Sequence, residues 1–410
     1  MILLLFIPSA LVLSPLGGAG SPATLFAVAL MGWYLALRLH PASALDQGGQ
    51  PIRVAAALFG CAILAAYVSA NRHALPTLER NGADRGLISM TGWLGVLLLA
   101  VDGIGRWDQL RTMLRRVVTG ATAVAAVGIA QFATGLNIAT YVSIPGFIMK
   151  VPFVDLTVRD GLNRPSATTA QPLEFAAVLA LCLPFALHQA RFAGPGSRGR
   201  RWLQVALIAG ALPMTVSRSA VLGLAAVALT LVPTWPKQHR RAAYLVMLGA
   251  AGLLWAGASR ILGVLYQLFS QIGAESSSTS RIGAYSRAVP FIAQHPWFGR
   301  GFQTFFPQTY FFADNQYLTS LIETGIVGLL ALLALLATGW FAARSARRAI
   351  PDVQTRDLLQ CLAASVAAAA VSFSTFDALS FATATGLTFL VLGCAGAAWR
   401  LARAQQSAAD

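Results

Sequence analysis

Residues 314–341 read DNQYLTSLIETGIVGLLALLALLATGWF. After two polar residues the chain turns apolar, and the run that begins at Gln316 is longer than the roughly 20 residues that a helix needs to cross a bilayer. Glu323 is the one charged side chain in that run, and Gly325 and Gly328 permit close approach of a neighbouring helix. The stretch predicts a membrane-spanning helix that is entered from a polar loop.

The composition extends this interpretation to the whole chain. Of its 410 residues, 56% are hydrophobic and only 11% are charged, and the mean hydropathy is +0.65. Soluble globular proteins average about 25% charged residues. Because lipid offers no hydrogen bonds to the backbone, helices that satisfy their own polar groups are favoured. The sequence therefore predicts an all-α integral membrane protein.

Twelve apolar segments are predicted to span the membrane within a single polytopic domain of residues 1–410. They lie at about 2–16, 22–38, 52–70, 86–101, 117–135, 172–189, 202–214, 218–233, 243–258, 316–341, 358–375 and 380–399. The first resembles the core of a signal peptide, but no Lys or Arg precedes it, so we interpret it as a retained membrane helix.

The basic residues predict the orientation. Cytoplasmic loops of membrane proteins are rich in Lys and Arg. With both termini in the cytoplasm, the basic clusters all fall on one side: 106–116, 191–201, 237–241, 344–356 and 400–403. The two longest loops, 136–171 and 259–313, then lie on the outer side. Since no basic cluster sits on a soluble domain, the net charge of +15 predicts no nucleic-acid partner.

No metal or cofactor is predicted. The four cysteines lie inside apolar segments without metal-ligand spacing, and the five histidines are scattered over both sides. The sequence also contains no P-loop and no GxGxxG pattern.

The outer loop 259–313 is the candidate catalytic region. It runs for 55 residues, and an arginine-bearing loop over a membrane suits chemistry on an anionic substrate. Within it, Ile282, Tyr285, Val289 and Ile292 recur at helical spacing, which predicts a short amphipathic helix on the membrane surface.

Two arginines outside that loop are candidate phosphate ligands. Arg218 follows Ser217 in a very short outer turn, where the guanidinium fork suits bidentate phosphate binding. Snorkelling to the headgroups is the alternative. Arg164 precedes Pro165 at the mouth of the sixth segment, where it either binds phosphate or caps the interface.

Three arginines of the long loop are also candidates. Arg281 and Arg287 are six residues apart, which places them about 120° apart on a helix. We favour Arg287 as the one that faces the site and keep Arg281 as a substrate contact. Arg300 lies in a glycine turn, so its alternatives are a substrate contact and a structural or headgroup role.

Asp314 is the candidate general base, because a carboxylate at the mouth of a helix can accept a proton from an attacking hydroxyl. The alternative is a helix N-cap. The adjacent Asn315 is predicted to contact substrate. Glu323, inside the membrane segment, is either functional or buried against a polar neighbour.

Taken together, residues 164–328 resemble the O-antigen ligase and polymerase family of bacterial envelope glycan enzymes. Arg164-Pro before a membrane helix and Ser217-Arg218-Ser219 at an outer turn carry part of the resemblance. The most specific part runs from Arg281 through His295-Pro-Trp-Phe-Gly-x-Gly301 to Asp314-Asn315 and the glycine pair at 325 and 328. In the ligase branch a histidine stands where this chain has Asp314, which leaves room for a polymerase.

The resemblance implies transfer of a glycan from a polyprenyl-diphosphate carrier to an acceptor hydroxyl, on the outer face of the bacterial inner membrane. Arg218 and Arg287 would hold the diphosphate, with Asp314 as base and no metal or nucleotide sugar. The implied partners are the carrier-linked donor, a glycan or lipid acceptor, the bilayer, and a flippase or chain-length regulator. The alternative function is a polytopic transporter or glycan flippase, although no internal repeat is visible.

Overall fold

The structure is a computed structural model that describes residues 1–40, 48–72, 74–150, 156–159, 161–257 and 276–407. Over these ranges the regular secondary structure consists of helices and two small antiparallel sheets. The helices are α1 (Ile2–Leu5), α2 (Pro22–Leu39), α3 (Pro51–Ala70), α4 (Thr77–Gly103), α5 (Trp107–Thr134), α6 (Pro172–Arg191), α7 (Arg198–Met214), α8 (Arg218–Leu231), α9 (Lys237–Gly257), α10 (Ser276–Gln294), α11 (Gln316–Ala349), α12 (Val353–Phe373) and α13 (Ala382–Ser407). The strands are β1 (Leu11–Val12), β2 (Ile148–Met149), β3 (Thr157–Arg159) and β4 (Leu162–Arg164).

Eight of the described helices, α2 to α6 and α11 to α13, are long and apolar enough to cross a membrane. This confirms the prediction of an all-α polytopic membrane protein. α8 is a shorter apolar helix, and the number of twelve spans stays a prediction.

The prediction of one membrane helix over residues 2–16 was wrong. α1 ends at Leu5, and β1 then pairs with β2 of the outer loop before a 3-10 turn at Ser14–Gly20. Pro8 and Pro15 lack the amide hydrogen that a continuous helix uses, which disfavours a helix over this apolar run. The segment folds against the bundle instead of forming a span of its own.

α6, α12 and α13 form the centre of the bundle. The apolar window of α13 is 89% buried, whereas that of α2 is 22% buried and so faces outward. Small residues bring the central helices close: a Cβ at Gly393 of α13 would lie 2.6 Å from the Cβ of Ala100 in α4. Such contacts are the usual basis of helix packing in membranes, where lipid removes the hydrophobic driving force.

Ion pairs brace one end of the bundle, which we call the basic end. Asp102, at the end of α4, accepts from Arg38 at 2.5 Å and from Arg53 at 2.6 Å. Asp357 of α12 pairs with Arg191 and lies 2.7 Å from the Nδ1 of His188. Buried carboxylates of this kind need such partners, because an unpaired buried charge is strongly destabilising.

The opposite end, which we call the loop end, gathers the connections that follow α5, α7, α10 and α12. Their described residues are 135–150, 156–159, 161–171, 215–217, 295–315 and 374–381. Hydrogen bonds such as that from the Ser69 hydroxyl to the Gly299 carbonyl (3.2 Å) tie these loops to the helices.

α11 is broken at Gly325, and the loop at 295–301 fills the break. Gly325 has φ 65° and ψ −167°, which interrupts the helical hydrogen bonds. The amides of Ile326 and Val327 donate instead to the carbonyls of Pro296 and Trp297, at 2.9 and 3.1 Å. In the other direction, the amides of residues 300 and 301 donate to the carbonyls of residues 322 and 323, at 3.1 and 2.9 Å. Irregular backbone at membrane depth is tolerated where protein satisfies it in this way.

The amphipathic helix that the sequence predicts is present as part of α10. The apolar residues that it buries are Ala284 and Ala288, which form a cluster with Phe305, Phe311, Ala313, Leu318 and Ile322. Tyr285 and Val289 are exposed, at 55% and 60%. Ile292 of the predicted apolar stripe packs against this cluster, so the stripe is buried only in part among the described residues, and the location of α10 on a membrane surface stays a prediction.

Replacing Gly325 by alanine tests the break in α11. A Cβ at this position would lie 2.4 Å from the Trp297 backbone, in a conformation that only glycine adopts readily. Backbone strain of this kind costs about 1–3 kcal/mol before the clash is counted. We expect a clearly lower midpoint of thermal unfolding in detergent.

Gly210→Ala is the matched control for that substitution, because a Cβ at Gly210 in α7 meets no atom within 4 Å. It should leave the midpoint unchanged or raise it slightly, since alanine is the better helix former. Equal midpoints for Gly325→Ala and the wild type would contradict the described break.

Candidate active site

The structure brings Arg164 next to the turn that holds Arg218, although 54 positions separate the two. The Nε of Arg164 donates to the carbonyl of Thr215 at 3.0 Å. In the same turn the hydroxyl of Ser217 accepts from the amide of Ser219 at 3.2 Å and so caps α8, of which Arg218 is the first residue. Both arginines are half-buried.

The surroundings of Arg164 favour an anionic ligand. Burial, with the nearby charge of Arg159, lowers the pKa of Arg164 to about 10. The guanidinium stays charged at neutral pH, yet it has lost part of its hydration. An oxyanion would replace that hydration with charge-assisted hydrogen bonds.

Backbone strain is concentrated in the same loops. Four non-glycine residues have positive φ among the residues that the structure describes: Ala167, Val216, Gln303 and Asp314. Val216 is the least expected, because a β-branched residue is rarely found there. Such strain persists where the surroundings enforce it, and it is common at functional sites.

Asn315, rather than Asp314, caps α11. The Asn315 side chain accepts from the amides of Tyr317 and Leu318, at 3.0 and 3.4 Å. Its amide nitrogen donates to the hydroxyl of Tyr285 at 3.0 Å. Asp314 precedes the cap, with φ 46°. A helix cap therefore does not explain Asp314, and Asn315 has a structural role beside its predicted contact with substrate.

Asp377, which the sequence reasoning missed, lies beside Asp314. The two carboxylic acids line one small pocket with Thr319, Ser380 and Phe305 among its other walls. The pocket has a volume of about 10 Å³, which is room for one water molecule. An acidic residue in the short turn between the last two apolar segments was the available signal, in a chain with only 15 acidic residues.

The environment of Asp377 makes it a base near neutral pH. Burial raises the pKa of Asp377 to about 7, and the charge of Asp314 contributes to the rise. Hydrogen bonds from its own backbone amide and from Ser380 act in the opposite direction. Two carboxyl groups that share a site resist ionising together, so one of them is protonated far above its ordinary range.

Two glutamines hold the turn of Asp377 against α11. The side-chain oxygen of the buried Gln316 accepts from the backbone amide of Leu379 at 2.8 Å. The backbone amide of Gln316 donates to the carbonyl of Phe376 at 3.2 Å. The side chain of Gln303 donates to the hydroxyl of Ser380 at 3.2 Å. The carboxyl pair is thus built by the loop before α11, by the start of α11 and by the turn that follows α12.

Residues 203–333 match the family model described as O-antigen ligase. This part of the chain resembles O-antigen ligases. The predicted family resemblance is confirmed, and the matched region includes the turn of Arg218, α10, and the first part of α11. Comparison with curated proteins finds no match.

Within the matched region, α10 places Arg287 against Phe311, in the loop that leads to Asp314. The guanidinium carbon of Arg287 lies 4.8 Å from the centre of the Phe311 ring, three residues before Asp314. Its Nε also donates to the carbonyl of Gly283 at 3.2 Å, and the side chain is exposed. Arg287 therefore stands on the surface that α10 and the loop 295–315 share. The side chain of Arg281 lies outside the described residues.

Arg300 of the matched region is held in a buried ion pair. It donates to Glu79 of α4 at 2.7 Å and to the hydroxyl of Tyr310 at 2.8 Å. Its guanidinium carbon also lies 4.6 Å from the centre of the Tyr310 ring. These contacts support the structural alternative for Arg300, and its contact with substrate stays a prediction.

The buried Glu323 contacts the backbone of the loop that precedes α11. It is 2% exposed, and its Oε1 accepts from the amide of Phe305 at 3.2 Å. Through this bond Glu323 holds the loop that forms the Phe305 wall of the acidic pocket. This observation supports burial against polar neighbours, which was one of its two predicted roles.

Substitutions at Asp314 and Asn315 separate the cap from the candidate base. Asn315→Ala should lower the free energy of unfolding by about 1 kcal/mol, because it removes the side chain that caps α11. Asp314→Asn should leave stability nearly unchanged, since asparagine tolerates the positive φ of this position. Thermal unfolding of both variants in one detergent measures the difference. A larger loss for Asp314→Asn than for Asn315→Ala would mean that Asp314 is the structural residue.

Proposed function

We propose that the protein transfers a glycan from a polyprenyl-diphosphate carrier to an acceptor hydroxyl. One observation carries the proposal: the Asp314–Asp377 carboxyl pair stands at the loop end of a membrane bundle, at the edge of the region that resembles O-antigen ligases. Arginines at that same end supply the positive charge that a diphosphate leaving group needs.

The carboxyl pair acts as the general base. When both groups are ionised, the pair can take the proton of the acceptor hydroxyl as its oxygen attacks the anomeric carbon of the donor sugar. The pair then holds that proton with an apparent pKa near 7, since Asp377 titrates there. A base of this strength works efficiently at neutral pH, whereas an isolated aspartate is too weak.

The arginines stabilise the leaving group. As the new glycosidic bond forms, the bond from the anomeric carbon to the diphosphate oxygen breaks, and the electron pair leaves with the diphosphate. Arg218 and Arg287 bind this developing charge, and Arg164 holds the turn of Arg218 while offering its own guanidinium. Each charge-assisted hydrogen bond contributes about 1.5–3 kcal/mol, which lowers the barrier if it strengthens in the transition state.

The proposed mechanism uses no metal ion. Among the described residues, the group with the spacing of metal ligands is His188, Asp357 and Cys361. Asp357 of this group belongs to the basic end, where it pairs with Arg191. Positive charge at the loop end comes from guanidinium groups, which cannot lose their charge at physiological pH. We expect activity to persist when divalent cations are chelated.

The proposed orientation places the loop end outside the cytoplasm. The basic end carries the arginine clusters that the positive-inside rule assigns to the cytoplasm, and the C-terminal helix α13 ends there with Arg400 and Arg403. The loop end would then meet the carrier at the outer face of the bacterial inner membrane. This location excludes ATP and other cytosolic nucleotides as direct substrates.

Within the family we favour a polymerase of O-antigen, capsule or exopolysaccharide units over a ligase. Asp314 stands where the ligase branch has a histidine, and Asp377 gives it the titration range that a histidine would otherwise supply. A flippase that supplies carrier-linked units and a regulator of chain length are the proposed partners.

Loss of the base or of an arginine should stop the transfer in cells. Asp314→Asn and Arg218→Ala each remove a group proposed to act on the reacting atoms, so we expect activity to fall about 10²–10⁴-fold. Lipid-linked glycan should accumulate, as measured by mass spectrometry of extracted lipids. Accumulation of single repeat units indicates a polymerase, and accumulation of full-length polymer indicates a ligase.

Arg198→Gln is the control for these variants, because Arg198 is exposed at the start of α7, near the basic end. It should behave as the wild type. If Asp314→Asn inserts normally and lipid-linked glycan does not build up, the transferase proposal fails.

The pH dependence of kcat/KM tests the carboxyl pair. The pKa of Asp377 is raised, so the pair is protonated below about pH 7 and activity should fall as the pH drops through that value. Asp377→Asn leaves Asp314 as a lone carboxylate, whose ordinary range is near pH 4. The acidic limb should then move down by about three pH units, together with a lower maximal rate. An unchanged limb would show that Asp377 does not share the proton.

A further inference from the structure

Two basic residues from distant parts of the chain contact the same N-terminal segment, residues 10–17, at the loop end. Pairing of β1 with β2 places Lys150 next to Ala10, whose carbonyl accepts from the Lys150 amide at 2.9 Å. Arg85 of α4 donates to the carbonyl of Pro15 at 3.1 Å. Its guanidinium lies against Gly17, where a Cβ would be 3.0 Å from Nη1. Glycine at this position therefore leaves room for the guanidinium.

The strand pairing of β1 with β2 and the contacts of Arg85 with Pro15 and Gly17 hold both basic residues on this one segment. Partial loss of hydration lowers the pKa of Lys150, and the nearby charge of Arg85 lowers it further, although the lysine side chain is accessible at the rim. The carboxylate that is nearest in sequence to Arg85 is Asp84, and it accepts from the hydroxyl of Tyr67 at 2.7 Å. No ion pair joins Arg85 or Lys150 to an acidic side chain in the described part of the chain.

Like charges held together without a counter-ion are a binding site for an anion. Bringing two cations together costs free energy unless an anion compensates it, and the charge of an oxyanion is attracted by both. Arg85 offers a planar fork and Lys150 a flexible point charge, a combination that suits carboxylate and phosphate groups.

This basic pair is connected to the acidic pocket through one side chain. Gly86, which follows Arg85, packs against Gln303, since a Cβ there would lie 2.9 Å from the Gln303 side chain. Gln303 in turn donates to Ser380, a wall of the pocket that holds Asp377. The residue next to Arg85 on α4 thus contacts the side chain that reaches the acidic pocket. Arg164 and Arg218 belong to other loops of the same end.

We propose that Arg85 and Lys150 form a second anion-binding subsite, which takes a carboxylate or phosphate group carried by the glycan. The naming of a glycan as the ligand rests on the proposed transferase function. The basic pair implies that the repeat unit is acidic, and that a charged sugar is held while the reacting sugar lies at Asp314. A lipid headgroup or free phosphate offers the same chemistry, so the experiment must distinguish these sources.

Direct binding to the purified full-length protein tests the subsite without turnover. The protein is placed in nanodiscs of phosphatidylcholine, and its affinity is measured for a glucuronate-containing oligosaccharide and for the neutral glucose counterpart. We expect at least about tenfold tighter binding of the acidic oligosaccharide, which is the gain from one charge-assisted hydrogen bond. The same titration with inorganic phosphate, and in nanodiscs that contain phosphatidylglycerol, separates the other sources.

Three variants decide whether the basic pair is responsible. Lys150→Gln and Arg85→Gln should each remove most of the preference for the acidic oligosaccharide. Arg80→Gln, an exposed arginine one turn away on α4, should retain it. Since no described hydrogen bond or ion pair uses the Lys150 ammonium, Lys150→Gln should not alter folding, and thermal unfolding checks this.

The outcomes are distinct from those that test catalysis. The binding preference is measured without turnover, so its presence or absence does not depend on whether the protein forms a glycosidic bond. Equal affinities for the two oligosaccharides, or a preference that survives Lys150→Gln, would overturn the subsite. If the protein binds phosphate or phosphatidylglycerol but shows no preference for the acidic oligosaccharide, the assignment of the subsite to the glycan would be overturned.

Discussion

The insertion of residues 295–301 into the break of α11 is the constraint on which the rest of the loop end depends. Four backbone hydrogen bonds replace those that α11 loses at Gly325, and Gly299 allows the inserted loop to touch the Glu323 backbone. Without this exchange, backbone groups at membrane depth would be left without partners, at a cost of several kcal/mol each. The exchange makes the part of α11 before Gly325 a separate short helix, and Asp314 and Asn315 immediately precede it.

Side-chain contacts then position the neighbouring elements relative to the start of α11. The aromatic cluster of Phe305, Phe311 and their neighbours seats α10 on α11 and thereby places Arg287. Gln316 and Gln303 hold the turn after α12, which brings Asp377 to Asp314. The proximity of two acidic groups is unfavourable by itself, and the positive φ of Asp314 adds strain. We interpret both unfavourable features as consequences of the proposed role of the carboxyl pair, which is to hold a proton near neutral pH.

Much of this arrangement could be predicted from the sequence, because hydrophobic runs have local causes. The membrane helices and the amphipathic helix follow from residues that are neighbours along the chain, whereas Gly325, expected only to permit close helix packing, breaks α11 through contacts with residues 296 and 297. The first segment was predicted wrongly because the prediction relied on its length and hydropathy and did not consider Pro8 and Pro15. The assignment of the cap to Asn315 depends on a shift of one residue, which composition does not fix.

The remaining features depend on contacts between distant residues, and a single sequence does not contain them. Asp377 meets Asp314 across 63 positions, and Arg164 meets the turn of Arg218 only when β4 is placed against α7. Arg300 illustrates the reverse case, because its partner Glu79 lies 221 residues earlier in the chain.

Reconstitution of the purified protein with a synthetic polyprenyl-diphosphate glycan tests the central claim most directly. The measurement is the release of free polyprenyl diphosphate together with the gain in glycan length, with a chelator of divalent cations present. The account predicts one new glycosidic bond for each carrier released. A folded protein that releases no carrier, or releases it without forming a bond to the acceptor, would contradict it.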